Sequence, residues 1–266
     1  MPDALITRTP SAYDYPLLIK NLLFCPVVDA PDQEVVYRSH RFTYRDLRQR
    51  VARLANALTS LGVKRGDTVA VMDWDSNRYL ECFFAVPMIG AVLHTINVRL
   101  SPEQILYTID HAEDDVLLVN SEFLPILEQI RGRMDTVKSF VLLNDEPTLP
   151  TTHIPFAGEY EALLAAAPDQ FNFTDFDENT RATTFYTTGT TGMPKGVYFS
   201  HRQLVLHTMG VLAVLGSSVS HGGFNRLDVY MPITPMFHVH AWGLPYVATM
   251  LGVKQVYPGR YLPDHL

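Results

Sequence analysis

Between Phe42 and Leu143 amphipathic helical repeats alternate with short apolar runs, and that alternation restricts the fold more than any other feature of the 266 residues. Leu47, Val51, Leu54, Ala55, Leu58 and Leu61 recur at helical spacing, with Thr43 placed to cap the helix and Gly62 to end it. Thr68–Met72 reads as a buried strand, and Asp75-Ser76 starts a helix over Tyr79–Met88. Ala91–Ile96, Val116–Val119 and Phe140–Leu143 read as further strands, separated by a helix opened by Ser101-Pro102-Glu103 and another over Phe123–Arg131. Repeated βα units predict an α/β fold of mainly parallel sheets flanked by helices, with ligands beyond the carboxyl ends of the strands. Asn144–Asp177 reads as a long surface connection with a short helix around Tyr160–Ala166. A helix from about Ser200 through Val211, a loop over Ser217–Asn225 and a strand over Asp228–Pro232 follow.

Composition narrows the function classes. Hydrophobic residues make up 47% and charged residues 18%, which suits a globular enzyme with a sizeable core. A net charge of −7 without a Lys/Arg cluster argues against nucleic acid as a partner, because neutralising phosphates requires a basic face. Cys25 and Cys82 are too few for a disulfide framework or a zinc site and fit a reducing cytoplasm. The start, Met1-Pro2-Asp3, lacks a basic segment leading into an apolar run, so no secretory signal is expected. The longest apolar stretch, Cys82–Leu93, contains Pro87 and Gly90 and falls short of the roughly 18 residues that a membrane span needs.

Chemistry concentrates in Phe185–Val197, FYTTGTTGMPKGV. Gly189, Gly192 and Gly196 let the backbone approach an anion, so that successive N–H groups can converge on phosphate oxygens. Thr187, Thr188, Thr190 and Thr191 add hydroxyls, Lys195 adds a mobile positive charge, and Pro194 stiffens the turn that presents it. The spacing is not that of a Walker loop, since Gly189 and Gly192 are three apart and Gly196 follows the lysine. A merely flexible surface loop is disfavoured by the setting, between an apolar-aromatic strand and a helix-like segment.

This loop resembles the phosphate-binding signature of the adenylate-forming superfamily of acyl-CoA synthetases, luciferases and peptide-synthetase adenylation domains. RFTYRDL, AVPMIGAVLHTIN, LSPEQILYTIDHAEDDVLLV and MPITPMFHVHAWGLPY resemble superfamily segments in the expected order, most closely those of the medium- and long-chain fatty-acyl-CoA synthetases. The resemblance implies an ATP-dependent fatty-acid:CoA ligase that uses Mg²⁺, with ATP, CoA and a fatty or other carboxylic acid as substrates. The acid attacks the α-phosphorus of ATP to give acyl-adenylate and pyrophosphate, and the CoA thiol then displaces AMP. It also implies roles for particular residues. Thr187 becomes the metal contact, while Thr188, Gly189, Thr190, Thr191, Gly192 and Lys195 hold the phosphates. His238 lies near the substrate carboxylate, and Trp242 gates an acyl tunnel, with ordinary core packing open as the alternative for that tryptophan. His240 is expected to be a core histidine, as are Phe237 and Tyr246 core or pocket wall.

The resemblance covers nearly the whole chain from about Thr43, yet no Y-G-x-T-E-like segment, ribose-binding aspartate, hinge or lysine-bearing C-terminal domain is found before Leu266. The expectation is therefore an incomplete adenylate-forming N-terminal domain that is inactive alone. By analogy, residues 62–222 form one α/β subdomain carrying the phosphate loop, and residues 1–61 and 226–266 contribute to a second. Long-chain relatives that dimerise through N-terminal segments leave a homodimer open. Two competing functions also stay open: another adenylating ligase, such as an aryl-CoA ligase, or a non-catalytic nucleotide- or acyl-binding module.

Overall fold

The computed structural model describes residues 6–7, 9–188, 192–217 and 223–262. A helix, α1 (Lys20–Asp29), precedes the hairpin β1 (Glu34–Tyr37) and β2 (His40–Thr43), which runs directly into α2 (Tyr44–Ser60). The βα series follows as β3 (Thr68–Met72), α3 (Asn77–Met88), β4 (Val92–Thr95), α4 (Pro102–Ala112), β5 (Asp114–Asn120), α5 (Leu124–Ile130) and β6 (Ser139–Leu143). Next come β7 (Phe156–Glu159), α6 (Tyr160–Ala166), β8 (Arg181–Thr187), β9 (Lys195–Ser200) and α7 (His201–Ser217). The remainder is β10 (Val229–Tyr230), α8 (Leu244–Leu251) and β11 (Lys254–Tyr257).

Among the described residues two sheets form. The larger has seven strands in the order β7-β6-β5-β3-β4-β8-β9, parallel throughout except for β9, which pairs antiparallel with β8. The smaller joins the two ends of the chain in the order β10-β11-β1-β2, with β1 parallel to β11 and antiparallel to β2. The expected α/β architecture of mainly parallel sheets is thus present.

Local chemistry accounts for the element boundaries. The Thr43 side chain accepts from the Asp46 amide at 3.2 Å while the Thr43 amide donates to the Asp46 carboxylate at 2.8 Å, a reciprocal cap that starts α2. Ser101 and Gln104 form the same device at α4, with Pro102 in its first turn. β3 reads TVAVM and is buried along its whole length, as befits a central parallel strand covered on both faces. Every residue of α3 is buried, because the helix packs on β3, β4 and β8 while α1, α2 and β1 cover it. Its two charged residues are accordingly paired: Glu81 accepts from Arg50, Asn77 and Tyr160, and Arg78 reaches Asp145 and Glu161.

Three features depart from the sequence reading. The connection over Asn144–Asp177 contains β7, and the strand expected over Asp228–Pro232 is only Val229–Tyr230. Between the phosphate loop and α7 lies a full strand, β9, so Lys195 sits on an edge strand and not in an extended loop.

Candidate active site

The segment expected to bind phosphate joins β8 to β9, which pair as a hairpin at the carboxyl edge of the larger sheet. The pairing sets Thr187 opposite Lys195 and Tyr186 opposite Gly196, with the Thr187 hydroxyl 3.5 Å from the Lys195 carbonyl. Thr187 is half-buried, whereas Thr188, Gly192 and Lys195 are exposed. Gly192 has φ +103° with open space where a side chain would stand, so the backbone itself requires glycine there. Gly189, Thr190 and Thr191 lie outside the described residues. Among the described residues the Lys195 ammonium has no ion-pair or hydrogen-bond partner, which leaves its charge free for an anion. Below the tip, the Tyr186 ring packs under Gly196, and its hydroxyl lies 2.7 Å from His111 Nδ1. Tyr186 is held neutral by burial.

His238 enters from a second direction. It is exposed, and its amide donates to the Pro235 carbonyl at 2.9 Å. After it the backbone makes a left-handed turn: φ is +49° at Val239, +51° at His240, +49° at Ala241, +58° at Trp242 and +69° at Gly243. Non-glycine residues in this region cost about 1–2 kcal/mol each, so the turn needs external support. His240 supplies much of it. Its ring is buried and stands edge-on to Phe83, Phe185 and Phe199 at centroid distances of 5.8, 4.9 and 6.4 Å, docking the turn on the hairpin that carries the phosphate loop. Burial pushes its pKa down to about 3, so it is neutral and has the structural place expected of it. His207 of α7 approaches the Trp242 carbonyl at 3.0 Å through Nε2, and a Cβ on Gly243 would stand 2.8 Å from its ring. No local feature of the sequence marks His207 for this place, since Trp242 is 35 residues away.

Trp242 is 60% exposed in this chain, while Phe237 and Tyr246 are core residues. Ala241 and Leu244, on either side of Trp242 and Gly243, line a cavity of about 400 Å³ with Leu215, Phe224, Tyr230 and Ile233. Phe237 is tied to the larger sheet through its carbonyl, 3.4 Å from the Thr95 hydroxyl at the end of β4. Because β3, β4 and β8 are parallel, Asp75, Thr95 and Thr187 mark one edge, and the His238 segment and the phosphate hairpin share it. No group of three His, Cys, Asp or Glu side chains among the described residues could hold a metal ion.

Both sheets and the placement of this edge define the N-terminal-domain architecture of adenylate-forming enzymes. The crystal structure of an anthranilate CoA ligase in complex with anthranoyl-AMP superposes with a TM-score of 0.80 at 23% identity, over 92% of this chain and 46% of that one. The sequence profile of the AMP-binding enzyme family matches residues 27–265, and the chain belongs to that family. It is 46% identical over 223 residues to a long-chain-fatty-acid–CoA ligase of Thermus thermophilus, covering 84% of this chain and 39% of the relative. It is 42% identical over 222 residues to a medium-chain-fatty-acid–CoA ligase of Ectopseudomonas oleovorans, covering 84% and 40%. The chain thus spans about two-fifths of the length of these curated relatives.

Proposed function

We propose that these residues are the N-terminal part of an ATP-dependent fatty-acid:CoA ligase. The observation that carries the reading is the shared carboxyl edge, where a lysine unpaired among the described residues and threonine hydroxyls on one hairpin stand beside a histidine-bearing turn and an apolar cavity. The acid's carboxylate oxygen attacks the α-phosphorus of ATP and expels pyrophosphate; the CoA thiol then attacks the acyl carbon and expels AMP. Lys195 and the hairpin amides neutralise the departing pyrophosphate. Thr187 would help to hold a Mg²⁺ ion, which when bound would supply further charge neutralisation. His238 donates a hydrogen bond to the carboxylate and orients its attacking oxygen, and Trp242 covers an alkyl chain entering the cavity beside Ala241 and Leu244.

Residues 62–222 act in this reading as the phosphate-binding subdomain, with residues 1–61 and 226–266 contributing to a second. Two free cysteines suit a cytoplasmic setting, and a homodimer is part of the proposal. Acid-dependent ATP–pyrophosphate exchange, measured on the longest chain that carries these residues, is the test. Lys195→Ala is expected to reduce exchange by roughly a hundredfold or more while sparing acid binding, since its charge meets the leaving group. An unchanged exchange rate refutes the role of Lys195. Preference for aryl over all aliphatic acids replaces the fatty-acid reading, and nucleotide binding without any exchange replaces the enzyme with a binding module.

A further inference from the structure

The segment that leads to His238 is pinned at two points by one buried side chain. Asp75 follows β3, directly before the Ser76 cap of α3, and is fully buried. Its Oδ1 accepts the Met236 amide at 2.8 Å, two residues before His238. Its Oδ2 meets the hydroxyl of Tyr261, which also lies 2.8 Å from the Pro232 carbonyl. The Asp75 carbonyl in turn accepts the Gly259 amide at 2.8 Å, fixing the strand end from which Tyr261 projects. One carboxyl group therefore holds Met236 directly and Pro232 through Tyr261, closing the segment between them against the carboxyl edge of the larger sheet.

The hydrogen count distinguishes two forms of this clasp. With Asp75 ionised, the single Tyr261 proton must choose between the carboxylate and the Pro232 carbonyl. With Asp75 neutral, its own proton goes to the Tyr261 oxygen and the Tyr261 proton goes to Pro232, so every group is satisfied. The groups that face Asp75 are Asp73 beside it, Tyr79 on α3, Tyr230 on β10, Tyr257 at the end of β11, Tyr261, and Arg99 beyond β4. Asp73 is already occupied by Ser76 and Asn120, at 2.6 and 2.8 Å. Arg99 is exposed, with its guanidinium over the Phe237 ring. Burial raises Asp75 to about 7, in keeping with the neutral arrangement.

We propose that Asp75 is a positioning residue for the proposed ligase, its neutral carboxyl clasping Pro232 and Met236 so that His238 meets the carboxylic acid in a fixed orientation. This rests on the reading of His238 given above. The clasp lies on the acid side, so its loss acts on the acid and not on the nucleotide.

The test uses Asp75→Asn, Asp75→Ala and Tyr261→Phe, with two readouts. Asparagine reproduces the neutral form: its oxygen accepts from Met236 and its amide donates to Tyr261. In the 266-residue chain, amide hydrogen exchange at Met236 and Phe237 is expected to rise roughly tenfold or more in Asp75→Ala and to stay near wild type in Asp75→Asn. Tyr261→Phe, which leaves Asp75 with Met236 alone, serves if the alanine variant does not fold, and should raise exchange at Ile233 and Thr234. In the longest chain carrying these residues, the KM for the acid is expected to rise roughly tenfold in Asp75→Ala with the KM for ATP unchanged. The wild-type acid KM should climb above about pH 7, and the Asp75→Asn profile should be flat. Wild-type exchange in folded Asp75→Ala or Tyr261→Phe overturns the clasp. Faster exchange with equal rises in both KM values overturns its role in acid positioning. Faster exchange in a chain that activates no acid refutes the ligase reading and, with it, the positioning role, while the clasp itself stands.

Discussion

Replacing His240 by asparagine tests the buried half of the site through the pH dependence of stability. In the fold its pKa lies near 3, against 6.5 for an unhindered imidazole, because the ring is sealed among Phe83, Phe185 and Phe199. The unfolded chain therefore binds a proton that the folded chain refuses. Stability from this group is complete above pH 6.5 and drains away as pH falls toward 3, at about 1.4 kcal/mol per pH unit. Between pH 7.5 and 4.5 the loss amounts to about 2.7 kcal/mol. Asparagine tolerates the left-handed backbone at this position and keeps a donor for the Thr184 backbone, but does not titrate. The variant loses ring packing at every pH, so the informative quantity is the difference in slope. Urea unfolding of the 266-residue chain at pH 7.5 and 4.5 should show the variant losing about 2.7 kcal/mol less than wild type over that interval. Equal losses in the two proteins would mean that His240 is protonated in the fold, and the aromatic nest would then not be what holds the turn on the hairpin.

Two further substitutions separate surface from core. Trp242→Ala should shift acyl chain-length preference in a substrate panel while changing stability by no more than about 0.5 kcal/mol, because the ring is largely exposed; a large drop in Tm with equal loss for every acid would assign it to packing instead. Glu81→Ala should destabilise by about 3–5 kcal/mol in chemical denaturation, since Arg50, Asn77 and Tyr160 lose the acceptor they share, and a change below about 1 kcal/mol would show that water or Glu161 replaces it.

The βα series was legible because each unit carries redundant signals. Thr43 and Ser101 cap where caps are needed, TVAVM reads as a central strand, and Ser76 starts α3 close to where Asp75-Ser76 suggests. β9 was hidden because KGVYFS begins with lysine and glycine and lies on an edge where no residue is fully buried, so neither alternation nor a continuous apolar run marks it. β1 and β2 are four residues each, and β1 pairs with β11, more than two hundred residues away. Asp75 read as a helix-start residue because an aspartate before a cap is normally solvated; its burial comes from Met236, Gly259 and Tyr261, which no local window contains. The left-handed turn carries only two local signals, Gly243 and more weakly His240, since Val239, Ala241 and Trp242 have no preference for that region.

That turn ties the organisation of the site to completion of the whole fold. Four non-glycine residues at positive φ cost together several kcal/mol, at about 1–2 kcal/mol each, against a local backbone bond such as that from the Ala241 amide to the His238 carbonyl. The other offsetting contacts come from elsewhere: Phe83 on α3, Phe185 and Phe199 on the phosphate hairpin, and His207 on α7. The segment before the turn depends equally on distant partners, on Asp75 after β3 and on Tyr261 after β11. His238 therefore has no defined place until the two sheets have met across α3 and the hairpin has formed. A perturbation in that shared core should displace the His238 segment before it disturbs the hairpin, because the hairpin is held by its own β8–β9 pairing and by the β4–β8 ladder, whereas the turn has no ladder of its own.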